Sequence, residues 1–445
     1  MKILFKNLGV IKDISLDLSK KLIVFCGPNG TGKTYACYVA YEYLSHLINV
    51  KAILGDYFFD ISKVLIEKKG KEAITLNYDN LFTIKKKYLD VININEVFGI
   101  QADAQFQNFK AVMEPKEDFI NKIKSLSFDF KLRQVSFKKE KNSDLLLINL
   151  ASKTFFMGKT DTSAWYNAQI GKYLCFQTLL KSYILPVERS AAYTFANELA
   201  KNKLSESELT TDETDKNRYP IPIQDILATA VDLNFIKKQE SKYKWLAEAI
   251  EKDILHGNVL VSEDGELQFV PENTSGISLS FQLSASFIKN LSGLLIYLKH
   301  QANDNELLII DEPELGLHPD NQILLARIFA RLINNGIRLL ISTHSDYIIR
   351  ELNNLIMLSA ENADIKRNAE KWGYKPDEKI KPEDVGAYLF NSDEQNRVKV
   401  ESLSVDSSGF EVNTIDKAIS RLNEISESIF YSLKYGENNE DEPIG

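Results

Sequence analysis

The segment Gly27-Pro28-Asn29-Gly30-Thr31-Gly32-Lys33-Thr34 constrains this chain more than any other stretch. It has the spacing GxxxxGK[ST], and it lies between the apolar run Leu22 to Phe25 and the Gly- and Pro-free stretch Lys33 to Leu47. That order reads as buried strand, curled loop and helix. Glycines let such a loop turn several backbone N–H groups inward onto one polyphosphate, and the helix N-terminus adds partial positive charge. Lys33 then reaches the β and γ phosphates. Thr34 offers a hydroxyl to Mg²⁺, a cation that keeps several of its waters. The plain alternative is a turn that only joins strand to helix.

Far downstream, Glu306-Leu307-Leu308-Ile309-Ile310-Asp311-Glu312-Pro313 is an apolar run ending in two acids. It reads as a strand buried on both faces with its carboxylates at the C-terminal edge. Pro319 opens a helix with apolar face Leu325, Ile328, Phe329, Leu332 and Ile333, and Gly336 closes it. A second buried strand, Ile337 to Thr343, ends at His344. The handedness of such a βαβ unit makes the strands parallel, which brings Asp311, Glu312 and His344 to the edge where the phosphate loop lies. By charge, Asp311 would hold Mg²⁺ through water, Glu312 would act as general base on the attacking water, and His344 would meet the γ phosphate or that water. A solvated loop start and an ordinary polar histidine are the structural alternatives.

The balance of 54 Lys plus Arg against 62 Asp plus Glu, a net charge of -8, argues against nonspecific duplex binding as the main role, though a local basic groove fits. The runs Lys68, Lys69 and Lys71, Lys85 to Lys87, and Lys138, Lys139 and Lys141 are the candidates. No run approaches the roughly 18 apolar residues of a membrane span. The opening MKILFKNLGVIKD carries charge where a signal peptide is apolar, so the expected location is cytoplasmic. Three cysteines without CxxC or a Cys/His cluster exclude zinc and disulfide frameworks.

Elsewhere, Ile14, Leu16 and Leu18 alternate as in a strand, and 52–95 reads as antiparallel strands turning at Lys69-Gly70-Lys71 and Tyr78-Asp79-Asn80. Phe128 to Leu150 reads as a hairpin-like segment, Ser163 to Leu199 as mainly helical with a break at Pro186, and Ser205 to Arg218 as a loop. Gln224 to Leu255 is expected to be helical, and Val259 to Val270 a hairpin turning at Glu263-Asp264-Gly265. Ala387 to Val405 alternates weakly, a helix follows with Ile415, Ile419, Leu422, Ile429 and Leu433, and an acidic tail runs from Glu437 to Glu442.

The series GPNGTGKT, LLIIDEPELGLHP and LLISTHSDYII resembles the ABC-type ATPases of the RecF, SMC and OLD kind (the AAA_15 type), and above all the ATPase subunits of anti-phage systems such as Septu PtuA and PARIS AriA. The resemblance implies an α/β fold: an ABC-type P-loop NTPase head with an antiparallel β subdomain and an inserted helical lobe. Residues 1–100 and 277–360 would form the ATPase core, 101–276 the inserted β/helical lobe, and 361–445 a C-terminal hairpin and helix. The implied site is Gly27, Asn29, Gly30, Thr31, Gly32, Lys33 and Thr34 for ATP, Thr34 and Asp311 for Mg²⁺, and Glu312, His344 and Lys33 for catalysis. A D-loop would lie near Leu315 to His318.

Such heads sandwich ATP between two copies, which implies a homodimer or higher homo-oligomer. The LSGGQ signature is replaced by Leu283-Ser284-Ala285-Ser286-Phe287, whose Ser284 and Ser286 would cap a helix or offer hydroxyls to the partner's γ phosphate. Gln101, Gln105 and Gln107 are the Q-loop candidates. Leu185-Pro186-Val187-Glu188-Arg189-Ser190 resembles the LPAERS element of these ATPases; its Arg would aim at nucleotide or partner, or form a structural ion pair. No acidic set of a fused TOPRIM nuclease follows residue 345, and the five histidines are not paired as in an HNH nuclease. Three readings result: an ATP-driven sensor or switch of a defence system acting through a separate effector, a nuclease or toxin; a RecF-like repair ATPase that binds DNA; and a nucleotide-binding scaffold with little turnover.

Overall fold

A computed structural model of the chain describes residues 2–45, 71–90, 93–100, 104–113, 115–132, 135–150, 170, 174, 181–196, 198, 219–272, 277–393 and 397–435. Strands β1 (Lys2–Leu8) and β2 (Ile11–Asp17) form an antiparallel pair and lead into β3 (Leu22–Cys26) and helix α1 (Lys33–Ser45). After β4 (Lys71–Thr75) come α2 (Tyr78–Asp90), α3 (Ile94–Phe98), β5 (Lys110–Met113), α4 (Lys116–Ser125), β6 (Phe128–Leu132), β7 (Val135–Lys139) and β8 (Leu145–Leu150). Next are β9 (Lys181–Leu185), α5 (Ile221–Val231), α6 (Leu233–Ile236), α7 (Lys244–Ile250), β10 (Gly257–Val261), β11 (Leu267–Pro271) and β12 (Leu279–Ser280). The remainder is α8 (Ser286–Ile296), β13 (Glu306–Asp311), α9 (Pro319–Asn334), β14 (Arg338–Thr343), α10 (Asp346–Met357), α11 (Ala363–Lys371), β15 (Val385–Ser392), β16 (Val398–Leu403) and α12 (Asn413–Tyr435).

Nine strands form one sheet in the order β5-β1-β2-β16-β15-β3-β14-β13-β9. From β15 to β9 all neighbours are parallel. Strands β3 and β13 are buried at every position, which is why they read as unbroken apolar runs. Their side chains alternate between two cores. Leu22, Val24, Leu308, Ile310, Leu339 and Ile341 enter one, with α8, α9 and α10. Ile23, Phe25, Leu307, Ile309 and Leu340 enter the other, with the buried face of α1 and the β1–β2 pair. The second core continues into the antiparallel sheet β4-β8-β7-β6 through Phe137, Leu146 and Ile148. Among the described residues no helix is long and apolar enough to cross a membrane.

Several sequence expectations need correction. Tyr78-Asp79-Asn80 is no hairpin turn but the start of α2, so strand-like residues in this part end at β4; Tyr78, Leu81 and Phe82 share a helix face packed on the core, where Leu81 is buried. The stretch 181–185 is not helical: β9 pairs in parallel with β13, because Ser182 to Leu185, buried beside the edge of the sheet, gain a ladder of hydrogen bonds there. Gln224 to Leu255 is not one helix; it breaks around residues 237–243 and resumes at Lys244. Residues 52–70, Ser205 to Arg218 and the acidic tail lie outside the described residues.

Candidate active site

The phosphate loop begins where β3 ends. Gly27 has φ +131°, and a Cβ there would lie 2.1 Å from the carbonyl oxygen of Phe390 on β15, so only glycine fits. Gly30 and Gly32 also have positive φ, at 75° and 84°. Thr31 is buried, and its hydroxyl donates to the Pro28 carbonyl at 2.8 Å. Asn29 stands exposed at the loop's crest. Lys33 folds back over the loop, its Nζ donating to the carbonyls of Gly27 (2.9 Å) and Pro28 (2.8 Å). These are carbonyl contacts that a phosphate oxygen can replace.

Two strands away, register fixes the carboxylates. Asp311 pairs across β13–β14 with Ser342, and Thr343 pairs across β14–β3 with Cys26. The three strand ends are therefore level, and Lys33 shares its surroundings with Asp311, Glu312 and Glu314. Burial pulls the Lys33 ammonium below its ordinary pKa, while those three carboxylates push it back up. Asp311 is fully buried. Burial pushes its pKa up, against the hydroxyls of Ser342 and Thr34, which pull it down. Ser342 Oγ donates to Asp311 Oδ1, whereas Oδ2 is buried with no hydrogen-bond partner among the described residues. A buried carboxylate oxygen left unpaired beside a threonine hydroxyl fits a hydrated divalent cation, which takes one or two carboxylates and keeps the rest of its shell as water and phosphate.

Glu312 is one of few non-glycine residues with positive φ, +48°. A left-handed backbone at a carboxylate costs of order 1 kcal/mol or more and persists only where neighbours hold it. Here Glu312 N–H donates to the Ser342 carbonyl (3.0 Å), and the Glu312 carbonyl accepts from Leu315 N–H (3.3 Å). Its side chain, about a quarter exposed, has Oε1 3.8 Å from His344 Nδ1. Glu314, which the sequence reading passed over, lies closer: its Oε1 is 3.3 Å from His344 Nδ1. The same oxygen accepts from the His344 N–H and the Thr343 hydroxyl, both at 2.8 Å. It is buried, and its other oxygen has no hydrogen-bond partner among the described residues. The signal available in sequence was its place as a third acid directly after the pair, in Asp311-Glu312-Pro313-Glu314.

The serines that replace the signature separate in the structure. Ser284 is buried and donates to the Ser280 carbonyl at 3.2 Å; Ser286 is exposed on the first turn of α8. The capping expectation is wrong: Ala285 occupies the N-cap and no side chain caps the helix, because Ser284 is one residue too early and already engaged. A Cβ at Gly316 would lie 3.8 Å from the Ser286 Cβ, so the start of α8 borders the turn after Glu312. Gln101 lies outside the described residues. Gln105 and Gln107 are exposed and flank Phe106, whose ring meets that of Tyr35, the residue after Thr34. Among the lysine runs, Lys139 is buried and donates to the carbonyls of Lys124, Leu126 and Glu140, so that run is not a continuous basic surface. Lys68 and Lys69 lie outside the described residues, and Lys86 sits on α2 rather than on a strand.

Arg189 forms no ion pair among the described residues and is closed off from solvent. It is 1% exposed, and among the described residues its guanidinium donates only to backbone carbonyls: Pro186, Asn290, Asp311 and Glu312, at 2.8 to 2.9 Å.

A comparison with curated proteins finds no match. Among solved structures, the chain is similar to an SMC head bound to the C-terminal winged-helix domain of ScpA (11% identity, TM-score 0.37, covering 91% of this chain and 97% of that one). It is also similar to an Smc head with an extended coiled coil bound to the C-terminal domain of ScpA derived from Pyrococcus furiosus (13%, 0.33, 96% and 98%), and to the SMC head domain from Thermotoga maritima (9%, 0.33, 91% and 98%). The profile of the AAA ATPase domain (AAA_15) matches residues 1–349, from the first strand through the phosphate loop and the acids to His344. The chain belongs to the AAA ATPase domain family and is an ATP-hydrolysing enzyme, built on a mixed nine-stranded sheet flanked by helices.

Proposed function

We propose that this ATPase is the sensor or switch subunit of an OLD-like bacterial anti-phage defence system, working in the cytoplasm. ATP closes a homodimer or higher homo-oligomer, hydrolysis reopens it, and a separate effector, a nuclease or toxin, reads the state. The observation that carries the reading is the convergence of Lys33, Asp311, Glu312 and His344 at one sheet edge, with the exposed Ser286 at the start of α8 bordering the same turn. Such a face holds one nucleotide and presents a hydroxyl-bearing helix start to a second copy.

In this reading Lys33 exchanges the Gly27 and Pro28 carbonyls for the β and γ phosphates. Glu312 accepts the proton of the attacking water. His344, held through Nδ1 by Glu314, turns its other nitrogen to the γ phosphate. Thr34 and Asp311 are the residues that would hold Mg²⁺, which when bound neutralises charge on the phosphate oxygens.

Light scattering on the wild type and Glu312→Gln, with and without Mg-ATP, tests the switch. Expected is a larger ATP-bound assembly, persistent in the Glu312→Gln protein because turnover falls by about 10² to 10⁴. An unchanged mass with ATP in both proteins would overturn the switch. An unchanged turnover would remove Glu312 from the role of base.

A further inference from the structure

A buried guanidinium normally faces a carboxylate or phosphate. Arg189 instead spends its donors on carbonyls from separate parts of the chain. Nε donates to Asn290 on α8, Nη1 to Pro186 and Asp311, and Nη2 to Glu312. Desolvation pulls its pKa down to about 10, so it stays charged at neutral pH. Asn290 completes the arrangement from the other side. It is buried, and its Nδ2 donates to the Leu315 carbonyl at 2.8 Å. The turn from Glu312 to Leu315 is thus held at both ends against one residue of α8. Next to Arg189, Glu188 accepts from the Tyr38 hydroxyl on α1 at 3.2 Å, which ties the same segment to the helix of the phosphate loop.

This arrangement carries a cost that packing alone does not explain. Hydrogen bonds from charged donors to buried carbonyls are among the stronger ones, and a charge of this burial is retained only where its donors are satisfied. The carbonyls it holds include that of Glu312, the single carboxylate residue with left-handed backbone among the described residues. We propose that Arg189 and Asn290 are positioning residues that lock helix α8 to the Glu312 turn, so that a shift of α8 on meeting a second copy's nucleotide moves the Glu312 carboxylate into or out of line with the attacking water. The proposal rests on Glu312 being the general base.

The experiment compares Arg189→Lys, Asn290→Ala, Glu312→Gln and the double variants of each with Glu312→Gln. ATP affinity, multiple- and single-turnover rates, and thermal midpoints are measured. Arg189→Lys keeps the charge but loses the planar fork; Asn290→Ala removes only the Leu315 arm. Expected are a fall in kcat of about ten- to hundred-fold for Arg189→Lys and a smaller fall for Asn290→Ala, with ATP affinity within about twofold of wild type. Neither variant should slow the Glu312→Gln protein further. A plug that merely stabilises the fold would lower the melting temperature and leave the kcat of folded protein unchanged, which refutes the proposal. So does an equal fall in the Glu312→Gln background, which would mean that Arg189 does not act through Glu312. Should Arg189→Lys fail to fold, Asn290→Ala alone decides. If Glu312→Gln turns over normally, the base assignment fails first and the lock fails with it; if only Glu312→Gln is slow, the lock alone is wrong.

Discussion

Two turns lie side by side at the same sheet edge and are held in opposite ways. The phosphate loop after β3 is tied by contacts between residues three to six positions apart: Thr31 to Pro28, and Lys33 to Gly27 and Pro28. The turn after β13 is tied by residues 25 to 123 positions away in the chain: Asn290, Ser342, His344 and Arg189. The first carries its instructions in eight consecutive residues. The second is an acidic tetrapeptide whose unusual backbone exists only because several remote donors and acceptors surround it. Binding chemistry is therefore locally encoded here, and the placement of the acids is not.

Four substitutions probe that contrast. Lys33→Ala should have the largest effect, because it removes a charged donor from the self-contained loop. At roughly 1.5 to 3 kcal/mol for a charge-assisted contact, ATP affinity falls about ten- to hundred-fold, read by nucleotide titration, while the fold is kept. Gly27→Ala strikes the point at which the loop presses on the backbone of a distant strand. A side chain at φ +131° pressed on the Phe390 carbonyl should cost roughly 1 to 3 kcal/mol of stability, seen as a lowered denaturant midpoint. An unchanged midpoint would show that the loop is more independent of β15 than the geometry indicates.

Glu314→Gln keeps one oxygen, able to accept from both the Thr343 hydroxyl and the His344 N–H as Oε1 does, but removes the carboxylate beside the imidazole. Turnover should fall by about fivefold, the equivalent of roughly 1 kcal/mol, with ATP affinity unchanged. A loss as large as that of Glu312→Gln would make Glu314 the principal acid and reverse their roles. Asp311→Asn should have the smallest effect on stability, and its sign is the informative part. Burial raises the Asp311 pKa, so the ionised carboxylate costs stability above that raised value and costs nothing once both folded and unfolded forms are protonated. The variant should melt above the wild type at neutral pH, with the gap closing as pH falls through the carboxylate range, while magnesium-dependent turnover is lost. A variant less stable at pH 7 would show that Thr34, Ser342 and Lys33 more than offset the desolvation.

The same division explains which parts of the molecule could be read in advance. Buried parallel strands such as β3, β13 and β14 announce themselves because both faces are covered and their central positions form a continuous apolar run. Strand β9 does not: Lys181-Ser182-Tyr183-Ile184-Leu185 has no periodicity of its own and becomes a strand by lying against β13. Tyr78 to Asp90 has residues suited to strands, yet helix wins because its apolar side meets the second core. Arg189 stands out in the sequence, with nucleotide, partner or an ion pair as its expected uses, since nothing in a sequence reveals that a guanidinium will be aimed at carbonyls. Glu314 had no separate signal beyond its neighbours.

The sequence by itself determined the phosphate loop, the two strand-end acids, the histidine and the parallel strands that carry them, because each depends on contacts a few residues long or on burial of a continuous apolar run. Only the tertiary structure decided how Glu312 is turned, which acid holds His344 and what Arg189 does. Those outcomes are set by hydrogen bonds between residues far apart in the chain, whose donors and acceptors are common to every peptide and acquire meaning only when the fold makes them neighbours.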